Sequence, residues 1–126
     1  MGDAAWKQWE REIARFFGAE RNRLSGSSGR SDLTRSDTTH PDLYIEVKHG
    51  DISRFLNAEG RVAIQEAGKH AALEGKTPLI AIHPKGKWGF WILLHSRDFD
   101  AVARARGERE AAKEGEAGEG DADATS

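Results

Sequence analysis

Apolar residues along the chain fall into blocks of different period, and those periods predict its elements. Ala5, Trp6, Trp9, Ile13, Phe16 and Phe17 recur every three or four positions, with Asp3 placed to cap a first helix and Gly18 to stop it. A short strand is expected at 20–24, followed by the Gly/Ser loop SGSSGRSD at 25–32. At 43–47 the period drops to two: Leu43, Ile45 and Val47 alternate with Tyr44 and Glu46, as in a strand with one apolar face. Helical spacing returns between Gly60 and Gly75, with Val62, Ala63, Ala67 and Ala71 as candidates for burial. Two apolar strands, 78–83 and 88–95, are joined by the hairpin loop PKGK, and Ser96 is placed to cap a last helix ending at Arg106. From Gly107 onward no apolar residue is larger than alanine, which predicts a disordered tail. The order predicts an α/β fold: a mixed sheet of about five strands flanked by helices, formed by residues 1–106, with an acidic tail at 107–126.

Charge changes this picture more than overall composition does. The 126 residues carry a net charge of -2, but seven acidic and two basic residues lie from Gly107 on. The body therefore holds 17 basic and 14 acidic residues, a net +3, with arginines at 11, 15, 21, 23, 30 and 35 crowding its first third. A mildly basic body suits phosphate contact, although an ordinary solvated surface has the same composition. The absence of cysteine excludes disulfides and thiolate metal sites and favours a cytoplasmic location. No apolar run approaches the roughly 20 residues of a membrane span, and the charged start MGDAAWKQWERE does not read as a signal peptide.

The candidate chemistry lies in SDTTHPDLYIEVKHG, residues 36–50. Glu46 and Lys48 leave the same face of the predicted strand, opposite Leu43, Ile45 and Val47. A carboxylate beside an ammonium group can bind a hard cation and position a water, yet a Glu-x-Lys pair is also common as a surface ion pair. A second carboxylate is needed to hold a cation firmly. Asp42 lies four residues before Glu46, roughly 13 Å along a strand, too far for a shared metal with ~2.1 Å ligand distances. With Pro41 and Asp42 as the two turn residues of a hairpin, Asp37 falls directly across from Glu46, where Cβ atoms stand ~5 Å apart. Two carboxylates so placed repel unless a cation or a proton lies between them. Asp32 would need a longer, irregular hairpin and is the second candidate.

The segments WEREIARFF, NRLSGSSGR and SDTTHPDLYIEVK, in that order, resemble the archaeal-type Holliday junction resolvases of the PD-(D/E)XK nuclease superfamily, in particular their bacteriophage versions. The resemblance spans roughly residues 6–94. It implies a restriction-endonuclease-like fold and a homodimer that resolves four-way DNA junctions in recombination and repair by metal-dependent phosphodiester hydrolysis. It further implies Glu10, Asp37, Glu46 and Lys48 as catalytic residues, with Mg²⁺, replaceable by Mn²⁺, held by Asp37, Glu46 and the carbonyl of Val47. Arg11, Arg23, Arg30 and Arg35 would contact DNA. The archaeal enzymes have a longer interval before E-x-K than Asp37 provides, so Asp32 stays open as the ligand. A repair or restriction-type endonuclease on the same fold, and an inert DNA-binding module, are the alternative readings.

Other residues carry weaker expectations. His40 and His49 flank the site and read first as turn or edge residues, while His83 and His95 end strands and read as structural. Gln65 and Lys69 lie one turn apart on the second helix, where they would face the site or solvent. Trp6, Trp9, Trp88, Phe90, Trp91 and Phe99 are many aromatics for so small a body, which predicts a subunit interface.

Overall fold

Alternate residues of a strand go to opposite sides of a sheet, and this chain uses that rule to feed two separate cores. The computed structural model describes residues 5–22 and 35–118. These form α1 (Ala5–Phe16), β1 (Leu43–His49), a 3₁₀ turn (Ile52–Phe55), α2 (Ala58–Glu74), β2 (Thr77–His83), β3 (Trp91–Leu93), a second 3₁₀ turn (Ser96–Asp98) and α3 (Phe99–Gly118). The sheet order is β1-β2-β3, with β1 and β2 parallel through the α2 crossover and β2 and β3 antiparallel. On one face Leu43, Ile45, Val47, Leu79 and Ala81 pack with Ile13 and Phe17 near α1 and with Val102 and Ala105 of α3. On the other face Tyr44, Ile80 and Ile82 pack with Ala67 and Ala71 of α2 and with Phe55. The architecture is thus α/β in three layers, and among the described residues no helix is long and apolar enough to cross a membrane.

One glycine fixes how α2 begins. A Cβ on Gly60 would lie 1.8 Å from the carbonyl oxygen of Phe55, so only glycine lets the first turn of α2 close on the preceding 3₁₀ turn. That approach seats Phe55 in the core and leaves Arg54 beside the end of β1. Asn57 caps the helix, its side chain accepting the Glu59 N–H at 3.2 Å.

The fold departs from the sequence expectations in several places. Three strands form the sheet among the described residues, where about five were expected. At 20–22 and 35–39 there is one isolated antiparallel bridge, Arg21 with Thr38, and the rest of the strand expected at 20–24 lies outside the described residues. At the edge of β1, polar side chains take hydrogen bonds that a ladder would otherwise make. Ser36 Oγ accepts the Ile45 N–H at 2.9 Å and donates to the Ile45 carbonyl at 3.1 Å. The strand expected at 88–95 is only Trp91–Leu93, since Gly89 has a positive φ of 91° that breaks the extended run before it. The second 3₁₀ turn is capped by His95, whose Nδ1 accepts the Arg97 N–H, and not by Ser96. Finally, α3 continues past Gly107 to Gly118, through part of the segment expected to be disordered. Alanine, glutamate, lysine and arginine are strong helix formers, and that propensity operates without large apolar residues.

Candidate active site

The outer edge of β1 is covered by an irregular segment in place of a strand, and that segment carries Asp37. The Asp37 N–H donates to the Ile45 carbonyl at 2.9 Å, and Asp37 Oδ2 accepts the Val47 N–H at 2.7 Å. The approach is set further down the chain by His40, which is fully buried. Its Nδ1 accepts the N–H groups of Asp42 and Leu43 at 2.9 and 3.1 Å and so turns the chain into β1. The N–H and C=O of one strand residue leave along the same edge, so the Val47 carbonyl lies on the edge that Asp37 occupies. Glu46, one residue earlier, projects from the face covered by α2.

Asp37, Glu46 and Lys48 line one cavity of about 640 Å³, together with Arg35, Tyr44, His49, Arg54 and one face of α2. Lys48 Nζ lies 3.7 Å from Glu46 Oε2. The Glu46 carboxyl is nonetheless pushed up to about 7, first by burial and then by the negative charge of Asp37, against the pull of Lys48. The Tyr44 hydroxyl is raised as well, by burial and by the charges of Glu46, Glu74 and Asp37. Burial and neighbouring carboxylates thus both oppose ionisation at this edge, and the nearby cations offset them only in part.

No family model, curated protein or solved structure matches the chain.

The remaining expected residues divide between this cavity and elsewhere. Arg35 lines the cavity, and its N–H also donates to Glu74 Oε2 at 2.9 Å. Glu10 does not line it. This residue is buried under α1, where its carboxylate meets Arg21 Nε at 2.7 Å and lies 3.8 Å from His49 Nε2. Burial opposes the Glu10 charge, but the nearby His49 ring and the hydrogen bond from Arg21 outweigh it and hold the carboxyl below its ordinary range. Arg11 is half-buried on α1 and does not line this cavity. Asp42 is exposed in the turn and outside the cavity, as its distance from Glu46 required. Arg23, Arg30 and Asp32, like Asp3, lie outside the described residues.

On α2 the face towards the cavity is Glu59, Val62, Ala63, Glu66, Ala67 and His70, so Gln65 and Lys69 are turned away and exposed. The helical period carries that information once Ala67 and Ala71 are known to be buried, because residues three and four positions from them share their side. His70 stacks on Tyr44 with ring centroids 5.9 Å apart. Arg21 was also missed. It is the ion-pair partner of Glu10 and one end of the isolated bridge to Thr38.

Among the described residues no group of three or more His, Cys, Asp or Glu side chains is placed to hold a metal. At the β1 edge of the cavity the donors are two carboxylates, Asp37 and Glu46, and one backbone carbonyl, Val47. That set suits Mg²⁺, which is commonly held by one or two carboxylates while keeping several of its waters. It suits Zn²⁺ less well, because zinc sites are built mainly on His and Cys with carboxylates as a minority.

Proposed function

We propose that this chain is a Mg²⁺-dependent DNA endonuclease, that its substrate is the four-way (Holliday) junction, and that it works as a homodimer. The observation that carries the reading is the pairing of Asp37 and Glu46 at one cavity edge, with Glu46 held near a pKa of 7 by burial and by its neighbour's charge. An arrangement this unfavourable for two bare carboxylates is relieved by a divalent cation. The order of segments resembling the resolvases supports the same reading, as does the basic body.

Asp37, Glu46 and the Val47 carbonyl would hold the metal. When bound, it supplies Lewis-acid activation of the phosphoryl group and makes a neighbouring water more acidic. Lys48, on the same face as Glu46, orients the attacking water and offsets the negative charge that develops on the phosphoryl oxygens. Arg35, at the cavity rim, attracts the DNA backbone. The Val47 N–H fixes the Asp37 carboxylate, so this ligand is positioned before any substrate arrives.

The dimer rests on exposed apolar surface. Trp88 is 92% exposed, Phe99 60%, Trp91 56% and Ile92 41%. Two grooves beside β3, one against α1 and one against α3, share Phe16 and Ile92. A patch of this kind is covered by a second copy in an obligate dimer, and two symmetric cuts require two equivalent sites. Light scattering of the DNA-free protein is expected to give about 28 kDa, twice the 13.9 kDa of the chain.

Cleavage of a labelled four-way junction and of the matching duplex, in Mg²⁺ and in EDTA, tests the function. Paired cuts in the junction, absent in EDTA, are expected. Equal cleavage of the duplex would replace the junction reading with a general endonuclease, and binding without cleavage would make the chain an inert DNA-binding module.

A further inference from the structure

The parallel strands β1 and β2 end side by side at His49 and His83, and a second cavity opens beyond these ends. It measures about 690 Å³ and is lined by Ala5, Trp6, His49, Gly50, Arg54, His83, Lys85 and Gly86. Open α/β sheets commonly bind ligands beyond the C-terminal ends of their parallel strands. The two cavities share His49 and Arg54 in their walls, so the second adjoins the cavity holding Asp37, Glu46 and Lys48.

Their linings differ in kind. The first has the carboxylates Asp37, Glu46, Glu59 and Glu66, whereas among the described residues no carboxylate lines the second. In their place stand the cations Arg54 and Lys85, two imidazoles and an indole. Trp6 is 42% exposed, with Lys7 Nζ 5.6 Å and Arg21 Cζ 5.7 Å from its ring centroid and the His49 ring edge-on at 6.1 Å. Glu10, the nearest acid to His49 Nε2 at 3.8 Å, is neutralised by Arg21 and lies outside the lining. His83 is held by Trp9, stacked at 4.4 Å, and by Nε2 at 2.9 Å from the Lys87 carbonyl.

The junction between the cavities depends on Gly50. A Cβ there would stand 2.9 Å from Arg54 Nη1, and the residue has a φ of 148° that other residues rarely adopt. Glycine thus lets the Arg54 guanidinium lie against the chain where the two cavities meet. Arg54 is also paired with Glu59 at 2.7 Å, and both side chains are about half exposed, so a phosphate can compete for it.

A hollow lined by Arg54, Lys85 and two imidazoles, with Trp6 as an aromatic wall, fits a nucleotide. A divalent cation would need carboxylates, and an apolar peptide would need a lining without exposed cations. We infer that this cavity receives one unstacked nucleotide of the DNA strand beside the scissile phosphate, its base against Trp6 and its phosphate between Arg54 and Lys85. The inference rests on the nuclease reading and deepens it. A branch point, where base stacking is interrupted, yields such a nucleotide at lower cost than a continuous duplex does. The cavity volume lies within the roughly 300–1,000 Å³ of small-molecule clefts.

The test uses the full-length protein with Ca²⁺ in place of Mg²⁺ and a four-way junction carrying 2-aminopurine at successive positions around its centre. Emission is expected to change about twofold or more at one position per cut strand as the base leaves the stack. Trp6→Leu, which keeps apolar bulk, and Lys85→Ala, on an exposed loop, should each remove that change. Junction affinity by anisotropy should fall no more than about 100-fold, the scale of one stacked base or one phosphate contact. No emission change at any position, or a change that survives both substitutions, would overturn the inference. A change that depends on Trp6 in a protein that never cuts DNA in Mg²⁺ would keep the nucleotide site and reject the nuclease. A protein that binds no DNA rejects both.

Discussion

At paired positions on the α2 side of the sheet, β1 carries Tyr44, Glu46 and Lys48 and β2 carries Pro78, Ile80 and Ile82. The backbones are alike, the strands are hydrogen-bonded neighbours, and the same helix lies over both. Ile80 and Ile82 are fully buried, while the Glu46 and Lys48 side chains keep 31% and 39% of their exposure. The inner strand behaves as core. The outer strand gives up apolar burial at two positions, and there a carboxylate is held close to Asp37. Burial that stabilises β2 works against the charged form of Glu46 on β1. A chain selected only for stability would place an apolar residue at position 46 as it does at position 80.

Substitutions that reverse one side of this comparison should have unequal effects. The largest is on activity: Asp37→Asn or Glu46→Gln should lower junction cleavage by on the order of 10³-fold while DNA binding stays within a few-fold, since each removes an anionic ligand at nearly constant volume. Single-turnover cleavage beside anisotropy reads both. Retained activity in Asp37→Asn would pass the ligand role to Asp32. Next in size is Ile80→Ala, which empties a fully buried position and should cost about 2–5 kcal/mol, measured by denaturant unfolding. Ser36→Ala should cost about 1–3 kcal/mol by the same measurement, because it strips the Ile45 N–H of its partner at the covered edge of β1.

The smallest effect carries a sign. The Glu46 carboxyl is raised from 4.5 to about 7, so the folded, metal-free protein keeps a proton that the unfolded chain has released. Stability from this group is present below pH 4.5 and is lost as pH rises through 7. Without metal, Glu46→Gln should therefore melt a few degrees above the unsubstituted protein at pH 8 and show little or no advantage at pH 4. Mg²⁺ should close the gap at pH 8.

Much of this site was legible in the sequence because β1 obeys a period of two. Alternation alone separates Leu43, Ile45 and Val47 from Glu46 and Lys48, and the short connection through Pro41 returns Asp37 to Glu46. The hairpin itself was not legible in detail. Ser36, Asp37, Thr38 and His40 replace ladder bonds with side-chain bonds, and whether a polar side chain bonds locally depends on tertiary distances that no periodicity encodes. Glu10 shows a similar limit. Its place on α1 was readable, but its capture by Arg21 depends on the Arg21–Thr38 bridge, a contact between segments distant in sequence. On α2 the weak alternation of small residues left the cavity face ambiguous until Ala67 and Ala71 were seen to be buried. At the C-terminal end helix propensity prevailed over the absence of apolar anchors, so α3 extends well beyond Arg106.

The proposed site turns on a divalent cation shared by Asp37 and Glu46. Calorimetric titration of Mn²⁺ into the metal-free protein at pH 8 tests it most directly. One ion per chain is expected, with affinity falling about tenfold per pH unit below 7 and by about 100-fold or more in both Asp37→Asn and Glu46→Gln. Binding of equal strength in all three proteins, or none in the unsubstituted one, would contradict it.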